Sequence, residues 1–224
     1  MRTTLRAVGF SAVGLVVFGL MLFLPAWTFD YWQAWVFLAV FTLSTWLPSI
    51  YLMRTNPAAL QRRMHVGPKA ETRPVEKVVI VGSFLSLAAM TVVSVLGHRF
   101  GWSPVPAMIS WVGDGLVAIG LGVAMLVVVQ NSYAAATVTV EAGQRLVTTG
   151  LYGLVRHPMY TGNVIMMVGI PLALGSYWGL LLVVPGLVGL VFRIFDEEKL
   201  LEQELDGYRE YAQRVRYRLV PHVW

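Results

Sequence analysis

Cysteine is missing from the 224-residue sequence, and charged side chains are scarce. Without a thiol, the chain can form no disulfide, no thiolate metal site and no cysteine nucleophile. Charged residues make up 13% of the sequence and hydrophobic residues 57%, whereas about 25% of a soluble domain is charged. This composition indicates a membrane protein, in which the net charge of +5 bears on topology rather than on nucleic-acid binding.

Common catalytic and metal-binding motifs are also missing: the sequence has no P-loop, no HExxH and no Ser-His-Asp arrangement. His65, His98 and His222 lack metal-ligand spacing, so we predict no metal site. The segment Gly113–Ala118 matches a dinucleotide-binding glycine pattern, but it lies in an apolar run where close helix packing is the favoured interpretation. Asp114 lies near the end of that run, which favours a structural role over a functional one.

Five stretches lack Asp, Glu, Lys and Arg, namely Ala7–Phe29, Tyr31–Met53, Val78–His98, Gly115–Val140 and His157–Phe192. A bilayer span needs about 20 apolar residues, so each of the first four fits one span. The fifth would extend roughly 54 Å as one helix, so we predict a hairpin that breaks at Gly175–Gly179. The predicted fold is an all-α polytopic membrane bundle of about six segments, the last two short, with a C-terminal cytoplasmic amphipathic helix.

The basic residues are distributed unevenly between the two faces of such a bundle. Of the 17, 16 fall on the face that holds both termini, and only Arg99 falls on the opposite face. Such a bias marks the cytoplasmic face, so we expect both termini to be cytoplasmic in an inner or equivalent membrane. The loop over residues 54–77 is interpreted as a solvated segment near anionic headgroups, with a substrate-facing gate as the alternative. The basic residues of the cytoplasmic face are Arg2, Arg6, Arg54, Arg62, Arg63, Lys69, Arg73, Lys77, Arg145, Arg156, Arg193, Lys199, Arg209, Arg214, Arg216 and Arg218.

Two polar clusters are expected to meet at this face. In "GLYGLVRHPMYTG", Pro158 suits the first turn of a helix and His157 its cap, and such an N-terminus favours an anionic group. The segment that begins at Arg193 reads as an amphipathic helix, and the hairpin brings its Glu197–Glu198 pair back to the same face. Together the clusters suit a ligand that is zwitterionic, sugar-bearing and partly aromatic.

The segments "QRLVTTGLYGLVRHPMYTG" and "RIFDEEKLLEQELDGYREYAQRV" resemble the isoprenylcysteine carboxyl methyltransferase and phospholipid methyltransferase family. The resemblance covers about Asn131 to Pro221 and implies an integral membrane enzyme that uses S-adenosylmethionine. It divides the chain into a four-span region over residues 1–130 and a cofactor-binding catalytic region over residues 131–224. It implies a cofactor pocket lined by Gly150, Tyr152, His157, Pro158, Tyr160, Gly162, Glu197 and Glu198 and closed by Tyr208 and Tyr211.

The chemistry implied is a direct displacement at a sulfonium methyl carbon, for which the protein orients the reactants and excludes water. A carboxylate acceptor needs no base, whereas Glu198 or His157 could assist an amine or thiol. Arg193 is the candidate for binding a substrate carboxylate or phosphate. We expect a lipophilic small molecule or prenyl-like acceptor that enters from the bilayer, with carboxyl O-methylation favoured over N- or S-methylation.

Two other functions stay open at this stage. An NADPH-dependent membrane reductase is one, because membrane sterol reductases have a broadly similar hairpin and cytoplasmic pocket. The acidic pair at Glu197 and Glu198 argues against a site for the 2′-phosphate. A non-enzymatic carrier is the other, and it requires an intramembrane polar path for which Asp114 is the main candidate. No arginine lies between Trp111 and Gln130, where eukaryotic isoprenylcysteine enzymes carry a functional one, which argues against a prenylated protein substrate.

Overall fold

The computed structural model describes residues 2–64, 67, 73–134, 137, 139–141 and 143–224, and these residues contain helices and turns but no β-strand. The all-α prediction is therefore confirmed. Short 3₁₀ turns cover Gly150–Gly153 and Trp178–Leu182. The α-helices are α1 (Arg2–Ala26), α2 (Trp32–Thr55), α3 (Pro57–Met64), α4 (Pro74–Arg99), α5 (Ala107–Gln130), α6 (Pro158–Ala173), α7 (Val183–Glu204) and α8 (Tyr208–Arg214).

Four helical segments of the described chain are long and apolar enough to cross a bilayer: Trp32–Thr55, Val75–Arg99, Ala107–Gln130 and Trp178–Glu204. Two shorter apolar helices cover Ala12–Ala26 and Pro158–Ala173. The six-segment count stays a prediction. One detail was wrong: the second arm of the hairpin is long rather than short, because its helix continues from the apolar run into the charged segment up to Glu204.

The predicted break of the hairpin is confirmed. Helix α6 ends at Ala173, and Gly175 follows with a φ of +68°, a left-handed conformation that favours glycine. The backbone N–H of Ser176 then donates to the carbonyl of Pro171, and a 3₁₀ turn begins at Trp178. The chain therefore reverses within a few residues and returns as α7.

Helices α5 and α6 pack against each other through paired glycines. A Cβ at Gly120 would lie 2.5 Å from the carbonyl oxygen of Gly162, and a Cβ at Gly169 would lie 2.8 Å from that of Gly113. Only glycine permits backbones to approach this closely. The packing interpretation of the glycine-rich segment is confirmed at Gly113 and Gly120, whereas a Cβ at Gly122 would meet open space.

The connections of the bundle gather at two ends. At one end, Arg99 donates to the carbonyl of Pro25 at 3.1 Å, and the indole of Trp178 lies against Trp102. At the other end, here called the polar end, Arg73 at the start of α4 pairs with Asp196 of α7 at 2.6 Å. Most of the segment between α3 and α4, including His65, lies outside the described residues.

The C-terminal segment differs from the single amphipathic helix that we predicted. Its first part is the continuation of α7, which ends at Glu204. Gly207 then adopts a φ of +78° and caps α8, which begins at Tyr208. This break turns the chain, so that α8 folds back beside the turn at Gly150–Gly153 instead of continuing away from the bundle, and the Tyr211 hydroxyl donates to the carbonyl of Tyr152.

Candidate functional site

The N-terminus of α6 is the structural centre of the polar end. His157 caps the helix and Pro158 occupies its first turn, as the sequence predicted. The C-terminal tail runs alongside, because the N–H groups of Arg156 and His157 donate to the carbonyls of Tyr217 and Arg218 at 2.9 Å each. The His157 ring makes no cap hydrogen bond and is therefore available for side-chain contacts.

Glu198 sits in a network that joins three segments of the chain. Its Oε1 lies 3.1 Å from Nε2 of His157 and 3.3 Å from Nε of Arg156. Its Oε2 accepts two hydrogen bonds of 3.0 Å from Arg218. The carboxylate is buried, so the two guanidinium groups are its counter-charges. Glu198 thereby fixes α7 to the start of α6 and to the C-terminal tail.

Glu197, the neighbouring residue, belongs to a different chain of contacts. Its Oε2 accepts a hydrogen bond from the Tyr160 hydroxyl, which in turn accepts one of 2.9 Å from Nε of Arg193. The guanidinium of Arg193 also lies 3.2 Å from Oε2 of Glu76, which is fully buried at the start of α4. Arg193 is thus enclosed by groups of the protein, and it orients Tyr160 and through it Glu197.

Three tyrosines form an aromatic group beside these carboxylates. Tyr152 accepts a hydrogen bond of 3.2 Å from Asn131, and its carbonyl accepts one of 2.8 Å from the Tyr211 hydroxyl. The Tyr208 and Tyr211 rings lie 5.8 Å apart. Burial raises the pKa of all three phenols, so they stay protonated at neutral pH. The Tyr208 hydroxyl is buried without a hydrogen-bond partner among the described residues.

These groups surround a cavity of about 100 Å³, which we call the tyrosine cavity. The described residues of the loop that follows α5 form one part of its lining, and residues of α7 and α8 form another. The described residues that line it include Asn131, Tyr133, Thr137, Thr139, Arg145, Leu146, Tyr152, His157, Pro158, Met159, Tyr160, Glu197, Leu201, Leu205, Tyr208 and Tyr211. Aromatic, carboxylate and guanidinium groups therefore share one cavity at the polar end.

Most of the predicted site residues come together here. Those that line the cavity are Tyr152, His157, Pro158, Tyr160, Glu197, Tyr208 and Tyr211. The remaining four do not line it: Gly162 packs against Gly120, Gly150 forms a turn with a φ of +63°, and Glu198 and Arg193 lie behind the wall in ion pairs. Binding roles for all of them stay predictions, and the structure gives these four residues an evident packing or positioning task.

Sequence reasoning missed Glu76 altogether and treated Arg156 and Arg218 only as topological charges. Glu76 lies 117 positions before Arg193 in the chain, and no local pattern links the two. The one available signal was a carboxylate two residues before the apolar stretch that begins at Val78, a position that the structure places in the first turn of α4. The tight pairing of Arg218 with Glu198 required knowledge of how the C-terminal tail returns to α6.

Comparison with known proteins adds a family. A model of the phospholipid methyltransferase family matches residues 108–206, a segment that contains α5, α6 and α7. The Delta(14)-sterol reductase TM7SF2 of Mus musculus is 33% identical over 93 residues, which are 39% of this chain and 22% of that protein. The chain thus spans about a fifth of the length of that reductase. The family resemblance seen in the sequence is therefore confirmed over residues 108–206, which are less than half of the chain, and two of the apolar helices that this segment contains are long enough to cross a membrane.

Proposed function

We propose that this protein is a membrane methyltransferase that transfers the methyl group of S-adenosylmethionine to a lipophilic small molecule, with a carboxylate as the favoured acceptor. The observation that carries the proposal is the family match over residues 108–206. Methyltransferases of this family generally use S-adenosylmethionine. The matched segment also supplies the first turn of α6 and the Glu197 carboxylate that line the tyrosine cavity.

The groups of the tyrosine cavity fit this cofactor. Glu197 can accept hydrogen bonds from ribose hydroxyls or from the amino group, and the tyrosine rings can flank the adenine. Arg145, for which the described chain provides no acidic partner, can bind the cofactor carboxylate. The buried Tyr208 hydroxyl has no hydrogen-bond partner among the described residues and is therefore suited to a ligand atom.

When bound, S-adenosylmethionine supplies an activated methyl group, which the acceptor nucleophile takes as the carbon–sulfur bond breaks and its electron pair goes to sulfur. The residues of the chain orient the reactants and exclude water. Two guanidinium groups surround Glu198, and Nε2 of His157 contacts the same carboxylate. Neither Glu198 nor His157 is therefore well placed as a base. A carboxylate acceptor, which has no proton to lose, thus fits this site better than an amine or thiol.

The proposal is tested by methyl transfer from labelled S-adenosylmethionine with the full chain in nanodiscs. Matched acids, amines and thiols with 4-carbon and 16-carbon chains serve as acceptors, and Glu197→Gln is the control for cofactor-site dependence. We expect the long-chain acid to be methylated fastest. A preference for an amine or thiol would overturn the carboxylate assignment, and equal rates for both chain lengths would contradict access from the bilayer.

An NADPH-dependent reductase is the second candidate, because part of the chain is 33% identical to a sterol reductase. A 2′-phosphate would need basic residues at the cavity. Arg145 and Arg156 line it, but Arg156 is paired with Glu198, and Glu197 adds a negative charge. This charge balance favours S-adenosylmethionine over NADPH.

We also propose that the polar end faces the cytoplasm. The charge bias of the sequence supports this orientation, since basic residues concentrate in cytoplasmic loops. Reporter fusions at Trp102 and at the C-terminus are expected to give opposite locations, with the C-terminal reporter cytoplasmic. Identical locations for the two reporters would rule the orientation out.

A further inference from the structure

A second cavity lies between α2, α3 and α5, apart from the tyrosine cavity. We call it the Arg63 cavity, because Arg63 is the one charged residue among the described residues of its wall. It encloses about 190 Å³, whereas one water molecule needs about 10–15 Å³ by the same measure. Its apolar lining includes Leu52, Leu60, Leu121 and Met125. The cavity is therefore large enough for part of a small apolar ligand.

The cavity lies beside Pro48, which is inside the continuous helix α2. Proline has no N–H, so the carbonyl of Ser44 lacks its usual helical donor. The hydroxyls of Thr45 and Ser49 donate to carbonyls of Phe41 and Thr45 within α2, at 2.9 and 2.7 Å. Since these hydroxyls are satisfied inside the helix, the electrostatic character of the cavity is set by Arg63.

Arg63 differs from its neighbour Arg62 because its guanidinium has no partner among the described residues. Arg62 donates to both carboxylate oxygens of Glu141 at 2.6 and 2.9 Å and lies 4.9 Å from the ring centre of Tyr133. Arg63 forms no hydrogen bond or ion pair with any residue that the structure describes, and burial lowers the pKa of its guanidinium. A partly buried guanidinium without a counter-ion favours an anionic ligand, because binding restores the lost hydrogen bonds.

A single apolar wall separates the two cavities. Leu52, Leu60 and Val128 form its buried part, with Met125 and Met159 packed against them. Met125 lines the Arg63 cavity, and Met159 lines the tyrosine cavity. Methionine side chains are unbranched and change shape readily, so this wall can rearrange at low energetic cost. The linings of the two cavities are therefore joined through one hydrophobic cluster.

We propose that the Arg63 cavity binds the methyl acceptor, and that this acceptor is an amphiphile with a carboxylate head held by Arg63 and an apolar tail lying between α2 and α5. The inference rests on the proposed function and gives Arg63 the anion-binding task that sequence reasoning gave to Arg193. The outer face of α2 is apolar and exposed at Leu43, Leu47 and Ile50, so a tail can arrive from the bilayer. Transfer then requires the head to pass the wall at Met125 and Met159.

The experiment uses the full chain in phosphatidylcholine nanodiscs and a 16-carbon fatty acid with a photoactivatable diazirine on its tail. We expect cross-links to peptides of α2, α3 and α5, and competition by the unlabelled acid but not by the 16-carbon alcohol or amine. Arg63→Gln should weaken the apparent affinity about tenfold, equivalent to about 1.4 kcal/mol, and Arg63→Lys should weaken it less. Arg54→Gln, which removes the same charge from an exposed position near the end of α2, should change it less than about twofold.

Thermal stabilisation by S-adenosylhomocysteine is measured on every variant. If the wild type shows this stabilisation but Arg63→Gln binds the fatty acid normally, the acceptor site is refuted while the proposed function stands. If the wild type shows no stabilisation, the proposed function fails. If Arg63→Gln does not fold, the acceptor site is tested with Leu121→Phe instead. The larger side chain fills the cavity, so this variant should weaken fatty-acid binding and leave the stabilisation by S-adenosylhomocysteine unchanged. Equal competition by the amine, or by an anionic phospholipid in the nanodisc, would overturn the assignment of a carboxylate acceptor.

Discussion

Glu197 and Glu198 are adjacent on α7 but have separate tasks, and glutamine substitutions distinguish them. Glu198→Gln removes the counter-charge of Arg156 and Arg218. Charge-assisted hydrogen bonds contribute about 1.5–3 kcal/mol each. The loss in the variant is smaller than their sum, because glutamine keeps one acceptor oxygen and Arg218 is partly exposed to solvent. We therefore expect a loss of about 3 kcal/mol for the whole network. For a chain of about 150–250 residues this corresponds to a decrease in Tm of about 6–12 °C.

The assay is thermal unfolding followed by tryptophan fluorescence, because a chain without cysteine cannot be followed with thiol-reactive dyes, whereas its 8 tryptophans supply a signal. Glu197→Gln keeps an acceptor for the Tyr160 hydroxyl, so its apo Tm should change by less than about 4 °C. A ligand at 100 times its Kd adds about 2.7 kcal/mol, and Glu197→Gln should lose this effect of S-adenosylhomocysteine. We assign a structural task to Glu198 and a ligand-binding task to Glu197. This assignment would be refuted if Glu198→Gln left the apo Tm unchanged and if that variant alone lost the stabilisation by the ligand.

Three further predictions test other parts of the structure. Tyr208→Phe removes a hydroxyl that has no partner within the described chain, so the apo Tm should not change while the calorimetric affinity for S-adenosylhomocysteine falls about 5- to 30-fold. The matched change Tyr211→Phe removes a hydroxyl that donates to a carbonyl, so it should lower the apo stability by about 1 kcal/mol. Gly120→Ala should destabilise the α5–α6 contact by about 1–3 kcal/mol in thermal unfolding, whereas Gly122→Ala, which meets open space, should be neutral or stabilising. Asp114→Asn should leave Tm unchanged or raise it, since the buried carboxylate has no hydrogen-bond partner within the described chain; a marked decrease would indicate a missing contact.

The features that the sequence predicted well are local. The cap at His157, the first-turn proline at Pro158 and the break near Gly175 each follow from the backbone preferences of a few neighbouring residues. The apolar runs likewise predicted helices that are long enough to span a bilayer, because composition over about 20 residues is sufficient for that inference. Seven of the 11 site residues predicted from the sequence line the tyrosine cavity, and their binding roles stay predictions.

The features that the sequence could not predict depend on contacts between distant segments. The glutamate pair could not be divided into a cavity residue and a network residue until the positions of Arg218 and Tyr160 were known. Gly162 looked like a ligand-contact glycine, but its neighbour is the backbone of α5. The partner of Arg193 is Glu76, from a segment that seemed to be a simple topological loop. Periodicity and spacing contain no information about such pairings.

The central claim, that the tyrosine cavity binds S-adenosylmethionine, is tested most directly by calorimetry on the detergent-purified full chain. S-adenosylmethionine, S-adenosylhomocysteine and NADPH are titrated separately into the wild type and into Glu197→Gln. We predict that the wild type binds the first two ligands and not NADPH, and that Glu197→Gln binds neither of the first two with comparable affinity. Binding of NADPH in the absence of binding of either methionine derivative would contradict the methyltransferase assignment and favour the reductase.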